Sequence, residues 1–293
     1  MLAQLNNVIA QPHQVGDLWS VLVGCSTEQQ VEARNYLYNH QADFVSSAPV
    51  HYVWGKLEQM LGMPDAALQC FHNALAVDAQ HTESLRELGF LLTAQSRPEQ
   101  ALGYFERLVQ QLPNDWAAWN DGGCVLRSMN QHQAALDWMK QAFAVCPQQA
   151  SLAANSALLA YELNDYVQAQ EWLDTALALD EHNAEALHTQ AMLFASTERF
   201  DEARAFEYKA LASNLDYPQA RLSLALLDLT LGNWSSGFAG YEYRWVGSDK
   251  AGTQTMPSIG RPQWHGQAVY EGTTIAILSE QGFGDIVQMA QLI

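Results

Sequence analysis

The residues whose spacing invites chemistry lie at the end of the chain. Ser279-Glu280-Gln281-Gly282-Phe283-Gly284-Asp285 forms a glycine-bearing turn after a short β-branched apolar run, residues 273–278. Residues 285–293 follow, with Ile286, Met289, Ala290 and Ile293 at helical spacing. Gly282 and Gly284 let the backbone approach a ligand closely, and the helix start beyond them offers free N–H groups and a positive dipole end. Asp285 in its plainest role caps that helix. The turn is not a dinucleotide fingerprint, because Val287 stands where a third glycine is needed. No Lys-Ser/Thr pair completes a phosphate-binding loop.

Metal and thiol chemistry find little support. Cys25, Cys70, Cys124 and Cys146 are far apart and form no CxxC pair, and the nine histidines are scattered. The expectation is no metal site, no cofactor, and free thiols in a reducing compartment. The chain carries 32 acidic against 14 basic side chains, a formal charge of −18. That balance, with no basic run, disfavours nucleic acid and anionic membrane as partners. The N-terminus, MLAQLNNVIAQPHQ, lacks the basic region of a signal peptide. No apolar run reaches membrane-spanning length, so no membrane insertion is expected and a cytoplasmic location is the default.

The elements that must carry these residues are mostly helices. Residues 116–149 predict two of them, one over 116–129 and one over 133–145, separated by the polar break Asn130-Gln131-His132 and stopped before Pro147. Small residues stand where the two helices cross: Gly123, Ala135 and Ala142. A shift of 34 residues finds the pattern again. Gly123 falls on Gly89, Gly55, Ala157, Ala191 and Ala225, and Ala135 falls on Ala101, Ala67, Ala169, Ala203 and Gly237. Met139 falls on Phe105, Phe71, Leu173, Glu207 and Tyr241, and Asn130 on Ser96, Gly62, Asn164, Glu198 and Gly232. Several of the last set tolerate a left-handed backbone. A fixed period with small residues at fixed offsets is the mark of a helical repeat array.

This pattern resembles the tetratricopeptide repeat (TPR) family: a small residue at position 8, Ala at 20, an aromatic at 24, Ala at 27 and often Pro at 32, a place held here by Pro113 and Pro147. The resemblance implies a mainly α fold, a right-handed solenoid of antiparallel helix pairs. Six repeats are expected over 48–251, after an N-terminal helical cap with a degenerate repeat over 1–47. In that family positions 2, 5, 9, 12 and 13 of each repeat line a concave face. The resemblance therefore implies a groove for a protein or an extended peptide, carried by Tyr52, Lys56, Arg86, Phe90, Asn120, Arg127, Tyr161 and His188. Lys56, Arg86 and Arg127 place cations on successive repeats of this face, which suits an acidic or carboxylate-bearing peptide. Trp116, Trp119, Trp138, Trp172 and Trp234 are expected to pack rather than to form a carbohydrate platform.

After a linker loop, 252–272, residues 273–293 predict strand, turn and helix. One strand with one helix cannot stand alone, so this is expected to be a short β-α fragment of an incomplete α/β domain. Tyr241-Glu242-Tyr243-Arg244-Trp245, then Pro262-Gln263-Trp264-His265-Gly266, then Ser279–Asp285 resemble the junction of bacterial TPR-fused glycosyltransferases, relatives of O-linked N-acetylglucosamine transferase and of heptosyltransferase-like proteins. That resemblance implies a ligand-binding loop at Gly282 and Gly284, Asp285 as general base, and a nucleotide sugar as donor if the native chain continues past 293. The chain as given is then an inactive partner-binding region. The alternatives are a free-standing TPR adaptor with no enzymatic role, and an active glycosyltransferase at greater length.

Overall fold

The computed structural model describes residues 22–247. All regular structure among them is helical. The predicted strand, turn and helix at 273–293 lie outside the described residues. The helices fall into two compact units, residues 1–213 and 214–293.

In the first unit α1 (Thr27–Asn39) leads through a 3-10 turn, Gln41–Asp43, into ten further helices. These are α2 (Ala48–Met60), α3 (Pro64–Val77), α4 (Thr82–Ala94), α5 (Pro98–Gln111), α6 (Trp116–Ser128), α7 (His132–Val145), α8 (Ala150–Glu162), α9 (Tyr166–Leu179), α10 (Ala184–Ser196) and α11 (Phe200–Ser213). They pair as α2 with α3, α4 with α5, and so on. His132, expected in the break, starts α7, because the reversal is complete one residue earlier.

The reversal has one chemistry throughout. Gly62, Ser96, Asn130, Asn164, Glu198 and Gly232, each 34 residues after the last, have φ of 73°, 58°, 58°, 61°, 60° and 81°. The residue after each donates its N–H to a carbonyl five positions back, as Met63 does to Glu58 (2.9 Å), Arg97 to Leu92 (2.8 Å) and Asp165 to Ala160 (2.9 Å). This left-handed stop satisfies carbonyls that the helix end would leave bare.

Pairing is fixed by small against large. A Cβ on Gly55 would lie 2.5 Å from the ring of Phe71, and one on Gly89 2.5 Å from that of Phe105. Phe71, Phe105, Leu88 and Leu108 are buried in a core that runs from α3 to α9. A second core joins α1 to the first pair through Ala33, Leu37, Val53 and Leu57. Between them α1 and α2 share a polar latch: the Glu58 carboxylate, 3% exposed, accepts from Arg34 Nε (2.9 and 3.0 Å) and Trp54 Nε1 (3.0 Å). A third core, joining α8 to α10, is alanine-rich.

The second unit holds α12 (Pro218–Thr230), α13 (Trp234–Tyr241) and α14 (Arg244–Gly247). The second helix of this last repeat stops at Tyr241, and helix resumes at Arg244. Close crossing at Gly237, whose Cβ would meet Leu229 at 2.6 Å, brings α13 hard against α12. Cations then stack on the rings beyond: Arg221 lies 5.1 Å from Tyr243, and Arg244 lies 4.9 Å from Tyr241 and 4.6 Å from Trp245.

Candidate peptide-binding face

The first helices of successive pairs touch through polar side chains, so that α2, α4, α6 and α8 share one continuous face. Lys56 on α2 donates to Glu87 on α4 (2.7 Å), and Gln59 joins the same carboxylate (3.1 Å). Arg86 on α4 bonds Asp115, the cap of α6, and lies 3.8 Å from Asp121. Asn120 on α6 accepts from the Asn155 amide on α8 (2.5 Å). Arg127 on α6 donates to Glu162 on α8 (2.8 and 2.5 Å), a carboxylate also met by His132 (2.9 Å).

The cations expected to form a stripe are thus each matched to a carboxylate of the next repeat. Sequence reasoning missed those partners: Glu87, Asp115, Asp121 and Glu162. A signal existed, since Glu87 and Asp121 stand at one position of the repeat, directly after Arg86 and Asn120, and Asn155 holds the same position one period on.

Electrostatics on this face follow from its partial burial. Asp121 is pushed up to about 6, by desolvation first and by Asp115 in addition, against the lowering pull of Arg86. Cys124, one turn along, is accessible to solvent yet crowded, and desolvation with the Asp121 charge raises its thiol. A raised thiol is a poor nucleophile. The Tyr52 phenol goes up to about 12 through burial and the charges of Glu87 and Glu83. Its ring lies 5.9 Å from Phe71 and 5.5 Å from His81. Burial likewise raises the Tyr161 phenol.

Phe90 is 43% exposed and rests edge-on against Phe105 at 5.8 Å, an apolar spot on an otherwise polar face. His188 on α10 instead turns to its own pair: Nδ1 lies 2.9 and 3.0 Å from the two oxygens of Glu207, which is fully buried where other repeats carry a ring or aliphatic group. Of the tryptophans, Trp119 is buried and packs tilted against Trp138 at 4.7 Å, and Trp172 meets Phe143 at 5.2 Å. Trp234, however, is 61% exposed.

Gly282, Gly284 and Asp285 lie outside the described residues. Among the described residues no group of three or more His, Cys, Asp or Glu is placed to hold a metal, and no helix is long and apolar enough to cross a membrane.

Comparison with known proteins agrees with the repeat geometry. Protein FlbA of Caulobacter vibrioides (strain ATCC 19089 / CIP 103742 / CB 15) is 25% identical over 232 residues, 78% of this chain and 38% of FlbA. The chain therefore spans well under half the length of that relative. Among solved structures, PilW, a widely conserved type IV pilus biogenesis factor, matches with a TM-score of 0.55 and 14% identity over 70% of this chain and 97% of its own. The APC/C hetero-tetramer Cut9-Hcn1 matches with a TM-score of 0.57 and 14% identity, covering 73% of this chain and 43% of the other. At such identity these two show the fold alone. The family model for the tetratricopeptide repeat matches residues 52–116, 91–151 and 154–218, more than half of the sequence. Helix pairs of one period, closed by one left-handed stop and matched by that model, place this chain in the tetratricopeptide repeat family.

Proposed function

We propose that the chain is a protein-interaction scaffold whose first-helix face takes an extended polypeptide segment. The observation that carries this is the ladder across α2, α4, α6 and α8. Polar groups recur at the repeat spacing, as backbone amides recur along an extended chain, and Phe90 offers an apolar grip among them. A carboxylate-bearing peptide would exchange for Glu87, Asp115 or Glu162 at Lys56, Arg86 and Arg127. Because each cation already has a partner, such a peptide gains a swapped ion pair rather than a new one. Affinity then rests on amide contacts at Asn120 and on apolar contacts at Phe90 and Tyr161. Selection of short peptides from a random display library on the full chain tests this. Selected peptides that lose affinity for the Lys56→Glu/Arg127→Glu variant support the reading, with folding checked by circular dichroism. Undiminished affinity rules out the cations as contacts.

A second reading concerns a longer protein. The Tyr241–Trp245, Pro262–Gly266 and Ser279–Asp285 motifs, and the 38% span of FlbA, favour a partner-binding region joined to a further domain. In the glycosyltransferase version of that reading Gly282 and Gly284 hold a ligand, Asp285 is the base, and a nucleotide sugar is the donor. Sugar-transfer assays on the native protein from its source separate this version from an adaptor without enzymatic role.

A further inference from the structure

Between α9, α10 and α11 lies an open groove of about 770 Å³, within the first unit. Its floor is Leu177, Leu187 and Phe206, and its charged margin is Glu181, His182 and Lys209. The Lys209 ammonium sits 4.3 Å from the Phe206 ring centroid. Earlier repeats carry rings at positions that are leucine here. One period back, Phe143 stands where Leu177 does and packs against Trp172 at 5.2 Å. Two periods back, Trp119 stands where Leu187 does and packs tilted against Trp138 at 4.7 Å. Three periods back, Arg107 stands where Lys209 does, 5.8 Å from the Tyr104 ring, and donates to Ala79 O at 2.7 Å. With leucine at 177 and 187 the groove lacks the rings of those junctions, and it keeps a cation, Lys209, at its edge.

The chain carries a matching feature in its second unit. Trp234 and Phe238, four residues apart on α13, stack at 6.3 Å and are 61% and 63% exposed. Glu242, four residues further, keeps helical dihedrals (φ −60°, ψ −22°), so it falls in line with them. Its side chain is 55% exposed, 3.3 Å from Arg244. The stripe thus reads aromatic, aromatic, carboxylate; the groove reads apolar floor, then Lys209.

We propose that two copies of this chain associate head to tail, the Trp234–Phe238–Glu242 stripe of one entering the Leu177–Leu187–Phe206 groove of the other, with Glu242 meeting Lys209. Lys209 and Glu242 are opposite in charge, with Glu181 on the same margin the one group that opposes Glu242, and the three residues of the stripe are exposed. Covering the free parts of two rings buries roughly 200–300 Å² of apolar surface. A stable dimer buries about 1,200–2,000 Å² in total, so the contact is weak, micromolar or looser. Being heterologous, it propagates beyond two copies as concentration rises.

Sedimentation equilibrium of the full chain across a wide concentration range tests the proposal. The average mass of the unaltered chain should rise with concentration. Trp234→Glu, Lys209→Glu and Glu242→Lys should each weaken association about tenfold or more. All three positions are exposed, so the variants should fold, and circular dichroism checks this. The mixture is decisive: the Lys209→Glu groove accepts the Glu242→Lys stripe and the Glu242→Lys groove accepts the Lys209→Glu stripe, so equal amounts of these two variants should form alternating assemblies that neither forms alone. A chain that stays monomeric throughout overturns the proposal. So does association that Trp234→Glu leaves unchanged, or a mixture no heavier than its components.

Discussion

The ring of Phe71 occupies the space that any side chain at Gly55 would need. A Cβ there would lie 2.5 Å from Cε1 and 2.8 Å from both Cδ1 and Cζ. Gly89 and Phe105 repeat the relation one period later. Gly55→Ala and Gly89→Ala therefore gain about 1 kcal/mol of helix propensity but lose more to overpacking, with a net cost of about 1–2 kcal/mol. Gly123→Ala should cost less, because its nearest neighbour is the flexible Met139 end. Ala157 against Leu173 shows the compensated form of the pair within this chain. Urea unfolding of Gly55→Ala, Phe71→Leu and the double variant checks this: the double should be more stable than the sum of the singles implies.

The left-handed stops differ in side chain while sharing one backbone. Glu198 pays the steric penalty of φ 60° that Gly62 and Gly232 avoid. Glu198→Gly should stabilise by about 0.5–1 kcal/mol, and Gly62→Ala should destabilise by a similar amount. Thermal unfolding of both variants measures the difference, and equal signs would contradict a shared left-handed turn.

These stops and glycine pairs were legible in the sequence because both are local: they depend on residues within one period. The ion pairs were not, since Lys56–Glu87 and Arg127–Glu162 depend on the lateral register between neighbouring repeats. Sequence spacing puts Lys56, Arg86 and Arg127 on one face but does not say which carboxylate each meets. The break at Glu242 and Tyr243 escaped notice for a related reason. Gly237, Gly240 and the aromatic residues beside them mark the segment as unusual in sequence, but the place of the stop depends on how α13 crosses α12.

At the N-terminal latch the two partners of one ion pair should respond unequally. Arg34→Ala leaves the buried Glu58 carboxylate with Trp54 Nε1 in place of two donors, at a cost of about 3–5 kcal/mol. Glu58→Gln keeps an acceptor for Trp54 and leaves Arg34, which is 38% exposed, free to hydrate, so its cost is about 1–3 kcal/mol. Hydrogen exchange of α1 amides should rise in both variants, and more in Arg34→Ala.

Asp121 couples the peptide face to pH. Its carboxyl is raised from 3.8 to about 6, so the folded chain holds a proton there that the unfolded chain has released. The sign follows directly: this group favours folding below about pH 4 and loses that contribution as pH rises to about 6. Asp121→Asn should therefore raise the melting temperature relative to the unaltered chain more at pH 7 than at pH 4. A difference that is constant with pH would contradict the buried, raised carboxyl.

The central claim is that the face built by α2, α4, α6 and α8 binds extended polypeptide. The most direct measurement is calorimetric titration of a display-selected peptide into the unaltered full chain, into Phe90→Ala and Asn120→Ala, and into Gln69→Ala on the exposed side of α3. The account predicts one site per chain, affinity at least about tenfold weaker for Phe90→Ala and Asn120→Ala, and no change for Gln69→Ala. Equal affinity for all four chains would place the peptide elsewhere and contradict the account.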